Sequence, residues 1–479
     1  MKPNRKRLPL YRVLLTSGVL LAAHFVQAAD DYIEPQLRTL SPSELLGKRP
    51  ARPAPPGVAA APDNAATYGF EQAVRLAVEW HPSIGQAVGT LYEQAEGINV
   101  AQAGYYPQIS GGVKSGFDSG TDGARGSQAL SISLKQMLYD FGKVSNAVGS
   151  ARAKTAQSQA NILLAIDQVA RDTAYAYIEV QRYRQMLEIA RAQIQGIGDI
   201  VELARQRSDM GASTRSDLVQ AQSRAEGSLA TLQEYKAQYA RWQSTLGNLL
   251  GRNQAAPQVN ESFPAGFTQA CAQPGPSTDT LPGVLAALAQ RDGAQADLAQ
   301  ARAQGYPTLS LEPSVNHYLD NSYNDNNPYI DRTQAGIYLN LEVPIYQGGA
   351  TSARTRAAGY ALTSADAAED AARLQARQGF AEAQAQTAGL GRRLGALEQR
   401  QNSISEARSL YGRQYLELGT RPLLDLLNAE QEIHQSHFDL ANTVADLHRL
   451  EIDCLYNSGG LRRAFGLEHT AIQGVEVTP

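Results

Sequence analysis

The sequence states one plan twice. Ala103-Gly104-Tyr105-Tyr106-Pro107 returns as Ala303-Gln304-Gly305-Tyr306-Pro307, and Leu138-Tyr139-Asp140-Phe141-Gly142 returns as Ile345-Tyr346-Gln347-Gly348-Gly349. Met210-Gly211, with Asp217-Leu218-Val219-Gln220-Ala221 after it, returns as Leu418-Gly419, with Asp425-Leu426-Leu427-Asn428-Ala429 after it. The offsets are 200, 207 and 208 residues, so the copies keep register through three landmarks. A repeat this long means duplicated architecture and takes precedence over any local motif.

Each copy has two textures. Residues 70–104 carry Ala73, Leu76, Ala77 and Ile84 at helix spacing. Residues 142–209 hold Ile162, Ile166, Val169, Ala170, Thr173 and Tyr177 at threes and fours. That stretch predicts a helix of roughly 67 positions, on the order of 100 Å long, which no globular core needs. Residues 216–250 predict a third helix. Copy two repeats the plan over 281–305, 350–417 and 422–456.

Between the first and second helix of each copy the period switches to two. Ile109, Val113 and Phe117 share one face of a strand. Leu130, Ile132 and Leu134 share a face of the next, with Ser131, Ser133 and Lys135 opposite. In copy two, Leu309, Leu311 and Val315 alternate, as do Ile337, Leu339, Leu341, Val343 and Ile345, with Tyr338, Asn340 and Glu342 on the other side. Loops rich in Gly, Asp and Asn join each pair, Asp118 to Gly126 and Asp320 to Arg332, so each pair reads as a hairpin. Strands of about 10–13 residues are long enough to cross a bilayer when tilted. Four strands cannot close a barrel, and open edges cannot face lipid. A spanning sheet therefore requires several chains: two would give a filled barrel of eight strands, three a barrel of twelve with room for a pore.

The ends and the composition narrow the setting. Lys2, Arg5, Lys6, Arg7 and Arg12 precede an apolar stretch from Val13 to Val26, with small residues at Ala28-Ala29, so residues 1–29 read as a secretory signal. Residues 30–67 are Pro/Ala-rich and read as an extended, flexible segment. The resulting division is repeat 1 over 68–250 (hairpin 105–138), a linker over 251–280 at the joint of the stacked helices, repeat 2 over 281–456 (hairpin 307–345), and a tail over 457–479. Elsewhere no run of 18 apolar residues offers a transmembrane helix. A net charge of -4 with no basic patch points away from nucleic acid. No cysteine follows the signal, so no lipid anchor is expected there. The two cysteines, Cys271 in the linker and Cys454 near the end of the last helix, both fall near the joint. In an oxidising compartment they are either a bridge between linker and helix or two unrelated thiols.

At these residues the chain resembles the TolC family of trimeric outer-membrane channel proteins, over about 68–456. The signs are the duplicated helix–hairpin–helix–helix plan and the phrase Leu418-Gly419-Thr420-Arg421-Pro422-Leu423-Leu424-Asp425-Leu426-Leu427-Asn428-Ala429-Glu430, which is similar to the family's periplasmic turn in its second repeat. The resemblance implies a mixed α and β fold with four strands per chain. Three chains would share a 12-stranded outer-membrane β-barrel, continued by a long antiparallel α-helical barrel in the periplasm of a Gram-negative cell. It implies a homotrimer in outer-membrane lipid, a periplasmic adaptor (membrane fusion) protein, and an inner-membrane pump, an ABC transporter in the secretion branch. It implies no cofactor and no enzyme activity.

The resemblance also assigns residues. Gly211, Ala212 and Ser213 at one tip, with Gly419, Thr420 and Arg421 at the other, would dock the adaptor; local physics alone makes them turns. Asp425 would line the pore near its periplasmic end, three copies forming an acidic ring, against the plainer reading of a first-turn carboxylate favoured by the helix dipole. Asn428 stands where the best-known member has a second aspartate. Arg421 matches a latch arginine, but the family tyrosine three residues before the glycine is replaced by Leu416, with Tyr415 one step away. Asp217 is the first-repeat counterpart of Asp425. Glu430, His434 and His437 share a helix face and could present metal ligands, though solvated surface residues are the simpler reading. No phosphate loop, zinc-protease helix or nucleophile–base pair is present. The turn phrase favours type I protein secretion, including export of large adhesins, over small-molecule efflux. A periplasmic coiled-coil adaptor, a structural protein or a secreted helical adhesin would not need the four strands.

Overall fold

The computed structural model of the chain describes residues 67–118, 125–252, 257–259, 263–273, 275, 278–319 and 332–476. The signal segment, most of the Pro/Ala-rich segment, the tips of both hairpin loops, parts of the linker and the last three residues lie outside them.

The first helical stretch is two helices, α1 (Phe70–Trp80) and α2 (Pro82–Gln102), where sequence periodicity predicts one. Pro82 is the reason. It forces His81 into an extended conformation (ψ 129°), and the His81 ring then caps α2 by accepting from the Ser83 amide. The long helix of copy one, α3, runs Lys143–Asp209 for 67 residues, and α4 spans Arg215–Leu249. Asp140 starts α3: its carboxylate accepts from the amides of Gly142 (3.0 Å) and Val144 (2.6 Å). In copy two the helices are α5 (Pro282–Ala303), α6 (Ala350–Arg413) and α7 (Leu423–Ser458). The last turn predicted for α6 is instead a π-helical turn, Gln414–Leu418.

Each long helix lies beside two short ones. Helix α3 packs against α2 and then α4, α6 against α5 and then α7, and α3 also packs on α5 and α7, joining the copies. The copies are unequally buried. Helix α3 buries residues along its whole length, whereas α6 buries only Ala365, Glu369, Phe380, Ala383 and Leu397. A long helix that leaves most of its surface uncovered in its own chain presents it for another.

Strands β2 (Gln108–Asp118), β3 (Arg125–Tyr139), β5 (Thr308–Tyr318) and β6 (Thr333–Glu342) form one antiparallel sheet in the order β2-β3-β5-β6. The central pairing, β3 with β5, joins the two hairpins, and β2 and β6 are left as edges. The register puts Ile109 opposite Leu134, Val113 opposite Leu130, Ile132 opposite Val315, and Leu311 opposite Leu339. All of these therefore share one face, and it is uncovered: Ile132 is 61% exposed and Ile337 76%. The other face carries Gln108, Ser110, Ser133, Lys135, Glu312, Asn316, Asn340 and Glu342. An apolar exposed face backed by a polar one is the pattern of a membrane barrel wall, inverted from that of a soluble sheet. Strand β6 stops at Glu342 although the alternation continues to Ile345. Pro344 has no N–H for the ladder and ends the pairing.

At the joint, β1 (Thr67–Tyr68) pairs in parallel with β4 (Gln258–Val259). Phe70 packs at 5.1–5.5 Å on the rings of Tyr177, Phe263, Phe267 and Phe465. Phe465 follows a short helix, α8 (Leu461–Ala464), and the tail continues into a hairpin of β7 (Ala471–Ile472) and β8 (Val475–Glu476). Arg462 pairs with the buried Asp167 of α3. Cys271 and Cys454 are bridged, tying the linker to α7 beside Phe380 and Ala383 of α6.

Candidate functional site

The two turns where the long helices reverse lie together. In copy one, α3 ends at Gly211 in the left-handed region (φ +70°), where a side chain would be strained. The Gly211 amide donates to the Ser208 carbonyl (3.0 Å) and that of Ala212 to the Arg207 carbonyl (2.7 Å), closing the helix with a Schellman-type pattern. Gly211 and Ala212 are exposed and Ser213 is half-buried. Helix α4 opens with a capping box: the Thr214 hydroxyl accepts from the Asp217 amide, and the Asp217 carboxylate accepts from the Thr214 amide, both at 3.2 Å. The Ser213 hydroxyl adds a third bond to that carboxylate at 2.9 Å. These bonds, Ser213's foremost, hold the Asp217 carboxyl below its ordinary pKa against a smaller effect of burial. The Asp217 carboxylate thus caps the start of its own helix.

In copy two, the π turn delivers the chain to Gly419 (φ +61°), and the Thr420 amide donates back to the Gln414 carbonyl at 3.2 Å. Single π turns occur where a helix must offset its face by one residue. Here the offset explains the tyrosines. Tyr415 turns inward and is 6% exposed, and the Arg207 guanidinium lies 4.6 Å from its ring. Arg421 finds its aromatic partner one turn earlier, with its guanidinium 4.4 Å from the Tyr411 ring. Arg421 also donates to Gln414 Oε1 (3.0 Å) and to Asp425 Oδ2 (2.8 Å). Asp425 is therefore paired inside its own chain, while Asn428 is exposed. Tyr411, Gln414 and Arg207 are the tip residues that sequence comparison with the family motif missed. The π turn, which has no sequence marker here, turns Tyr415 towards Arg207 and leaves Tyr411 against Arg421.

Below these polar links the tips share an apolar core: Ile197, Ile200 and Ala204 from α3, Ala221 from α4, Tyr415, and Leu423, Leu426 and Leu427 from α7. Around the turns, Met210, Leu416, Leu418, Leu424 and Val219 are exposed. Small turns ringed by apolar side chains make a surface suited to a partner.

Further up α7, Glu430 and His434 correct the reading of a solvated helix face. They are 3% and 6% exposed, and His437 is half-buried. Glu430 accepts from Arg408 Nε of α6 at 2.6 Å and meets His434 Nε2 at 3.2 Å. Its charge is thus taken up inside the bundle. Burial, with a smaller contribution from His434, lowers the pKa of His437.

At the other end of the helices, Tyr105, Tyr106, Tyr139, Phe141, Tyr306 and Tyr346 are exposed where strands meet helices. Phe141 stacks on Tyr306 at 5.6 Å. Such an aromatic band marks the level of a membrane–water interface. On the polar face of the sheet, Lys135 Nζ lies 3.2 Å from Glu312 Oε1, which also accepts from Ser310 and Asn340.

Comparison with known proteins places these features in context. The profile of the family described as outer membrane efflux protein matches residues 73–252 and 280–452. The chain is similar to the outer membrane efflux protein BepC of Brucella suis biovar 1, at 25% identity over 359 residues, covering 71% of this chain and 74% of that protein. It is similar to the outer membrane protein TolC of Vibrio cholerae serotype O1, at 26% over 378 residues (73% and 81%). The alkaline protease secretion protein AprF of Pseudomonas aeruginosa matches at 26% over 340 residues (67% and 67%). Among solved structures, the outer membrane protein VceC of Vibrio cholerae superposes with a TM-score of 0.71 at 19% identity, over 82% of this chain and 96% of that one.

Proposed function

The chain belongs to the outer membrane efflux protein family, as a channel of the outer membrane with a periplasmic helical tunnel and not an enzyme, and from that premise we propose that it is the exit duct of a type I protein secretion system. The observation that carries the duct is the sheet. Its four strands carry one exposed apolar face and one polar face, and among the described residues both edges of the sheet are unpaired. Lipid tolerates no open edge, so β2 of one copy pairs with β6 of the next. Three copies close a barrel of twelve strands wide enough for a water-filled lumen. The long uncovered surface of α6 supports the same assembly in the periplasm.

The duct is passive and is recruited by an inner-membrane pump, an ABC transporter, through a periplasmic adaptor. The adaptor engages the exposed turns Gly211-Ala212-Ser213 and Gly419-Thr420-Arg421 with the apolar residues around them. Opening separates the α6–α7 tip from the α3–α4 tip. The Arg207–Tyr415 link crosses between the two tips and resists that separation, while Arg421–Asp425–Gln414 holds the second tip in its own shape.

Protein cargo is favoured by the turn phrase Leu418 to Glu430, which resembles that of secretion members, and by the kinship with a protease secretion protein. Small-molecule efflux is the second reading, supported by the kinship with BepC. Deletion of the gene tests both. Loss of a large protein from the culture medium with unchanged drug sensitivity supports secretion; drug hypersensitivity with an intact set of exported proteins reverses the assignment.

A further inference from the structure

The gate reading places the closing contacts at the turns, but the most deeply buried charged cluster of the lower bundle lies higher. Glu430 sits about two turns into α7. It is almost fully buried, and its two oxygens are both occupied: Oε2 by Arg408 Nε at 2.6 Å and Oε1 by His434 Nε2 at 3.2 Å. The carboxylate extends across to α3. There it occupies the space beside Gly196, and a Cβ at Gly196 would overlap Glu430 Oε1 outright. One side chain therefore spans three helices: its backbone is in α7, its cation in α6, and its seat is a side-chain-free notch in α3. Burial alone would raise its pKa, yet the bonds from His434 and Arg408 hold it below the ordinary carboxylate range, so the group is charged in place.

A buried carboxylate costs free energy unless it is paired, and paired groups of this kind fix one arrangement of the elements that hold them. Helix α6 and helix α7 move as one hairpin in the gate reading, and Glu430 and Arg408 travel with it. The notch at Gly196 does not. Displacing the hairpin from α3 withdraws the carboxylate from its seat and opens the cluster to water.

Resting on the gate reading above, we infer that Glu430 is a second latch of the duct: a positioning residue that docks into the Gly196 notch and holds the α6–α7 hairpin against α3 in the resting state. The alternative is a structural ion pair that favours neither state of the gate.

Gly196→Ala separates the two. Alanine is the better helix former, so the substitution strengthens α3 locally while expelling the carboxylate. The measurement is the single-channel conductance of purified trimers in planar bilayers without adaptor, for the natural protein, Gly196→Ala, Arg408→Gln, the double variant, and Arg207→Ala as a tip control. Heat-stable trimer on gels is the check that each variant folds. The latch predicts that Gly196→Ala raises the mean conductance roughly 2- to 30-fold, the range given by altering a coupling of ordinary size. It also predicts that adding Arg408→Gln changes nothing further, because once the carboxylate has lost its seat the cation that positions it no longer bears on the gate. If Arg207→Ala raises the conductance and Gly196→Ala does not, the latch is wrong and the gate stands. If no protein conducts, or neither variant changes the conductance, the gate reading fails and takes the latch with it. Should Gly196→Ala not assemble, His434→Gln weakens the same cluster from inside α7 and carries the same two outcomes.

Discussion

The guanidinium of Arg207, at the end of α3, lies 4.6 Å from the ring of Tyr415 and donates to the Tyr415 carbonyl at 3.1 Å. The two residues are 208 positions apart, the same spacing as the repeat, so the contact joins the tip of one copy to the tip of the other. A cation over a half-desolvated aromatic face together with one charged hydrogen bond is worth about 1–3 kcal/mol. Arg207→Ala should therefore raise amide exchange across 414–420 by roughly tenfold or more, since about 1.4 kcal/mol is a factor of ten. Unchanged protection there would mean that the tips are held by their apolar core alone.

The capping box at the other turn is sensitive to acid. The Asp217 carboxyl is held below its ordinary pKa by Ser213 and Thr214. A depressed carboxyl contributes stability that is complete above its unfolded value, near 4, and is lost as pH falls through the lower folded value. Amides 214–218, corrected for intrinsic exchange rates, should lose protection over that interval. Asp217→Asn should show reduced protection already at neutral pH and no further loss there. Thr214→Ala should cost about 1 kcal/mol.

At the joint, His448 stacks flat on Phe263 with ring centroids 3.9 Å apart, and burial lowers its pKa to about 4. A histidine kept neutral on folding stabilises fully above its unfolded pKa, near 6.5, and that stability falls as pH drops towards 4, by at most about 3 kcal/mol. Asp167 acts in the opposite sense. Burial raises its pKa to about 6 against the lowering effect of Arg462, so it binds a proton on folding in the same interval. The contrast between the natural protein and His448→Leu isolates the histidine: the melting temperature of the variant should fall less between pH 7 and 4. Parallel curves would place the acid sensitivity elsewhere.

The bridge between Cys271 and Cys454 closes a separation of 183 residues. A cross-link over a loop that long stabilises by about 3–5 kcal/mol through the unfolded chain. The joint linker, whose Cys271 packs beside Phe380 and Ala383, should loosen first on reduction. Cys271→Ser with Cys454→Ser should lower the melting temperature and remove the mobility shift between oxidised and reduced denatured chains on a gel. A shift that persists in the double variant would show that it has another origin.

Much of the architecture was legible because it rests on period and length. A run of apolar residues at threes and fours from Ile162 to Tyr177 can only be a helix, and the switch to twos at Leu130–Leu134 can only be a strand. What the sequence did not carry were relations between elements. Ile109 and Leu130 look like members of separate faces until the register sets Val113 opposite Leu130 and merges them. Glu430 and His434 read as solvated because nothing local says that α3 offers a notch at Gly196. Pro82 lies inside a stretch whose apolar spacing is continuous, yet its restriction of His81 splits the helix. The partner of Arg421 was unreadable for a related reason: the turn over Gln414–Leu418 is π-helical, which shifts Tyr415 inward and leaves Tyr411 for the arginine.

The pairing of Arg421 with Asp425 bears on how the proposed pore mouth would treat cations. A ring of three unpaired aspartates would bind divalent cations and obstruct the current. In this chain Arg421 Nη1 holds Asp425 Oδ2 at 2.8 Å, four residues away on the same tip, and Asn428 brings no charge. Both members of the pair are partly exposed, so the pair itself adds little stability. Its effect is on the field: each subunit presents a dipole in place of a net negative charge. The natural protein should therefore show weak block by divalent cations in planar bilayers. Arg421→Ala should strengthen the block by freeing Asp425, and Asp425→Ala added to it should abolish the gain. Raising the salt should shrink the difference, because the screening length falls to about 3 Å at 1 M. If Arg421→Ala leaves the block unchanged while the current itself rises, Asp425 does not face the conducting path, and Arg421 acts only as a tie between Gln414 and the start of α7.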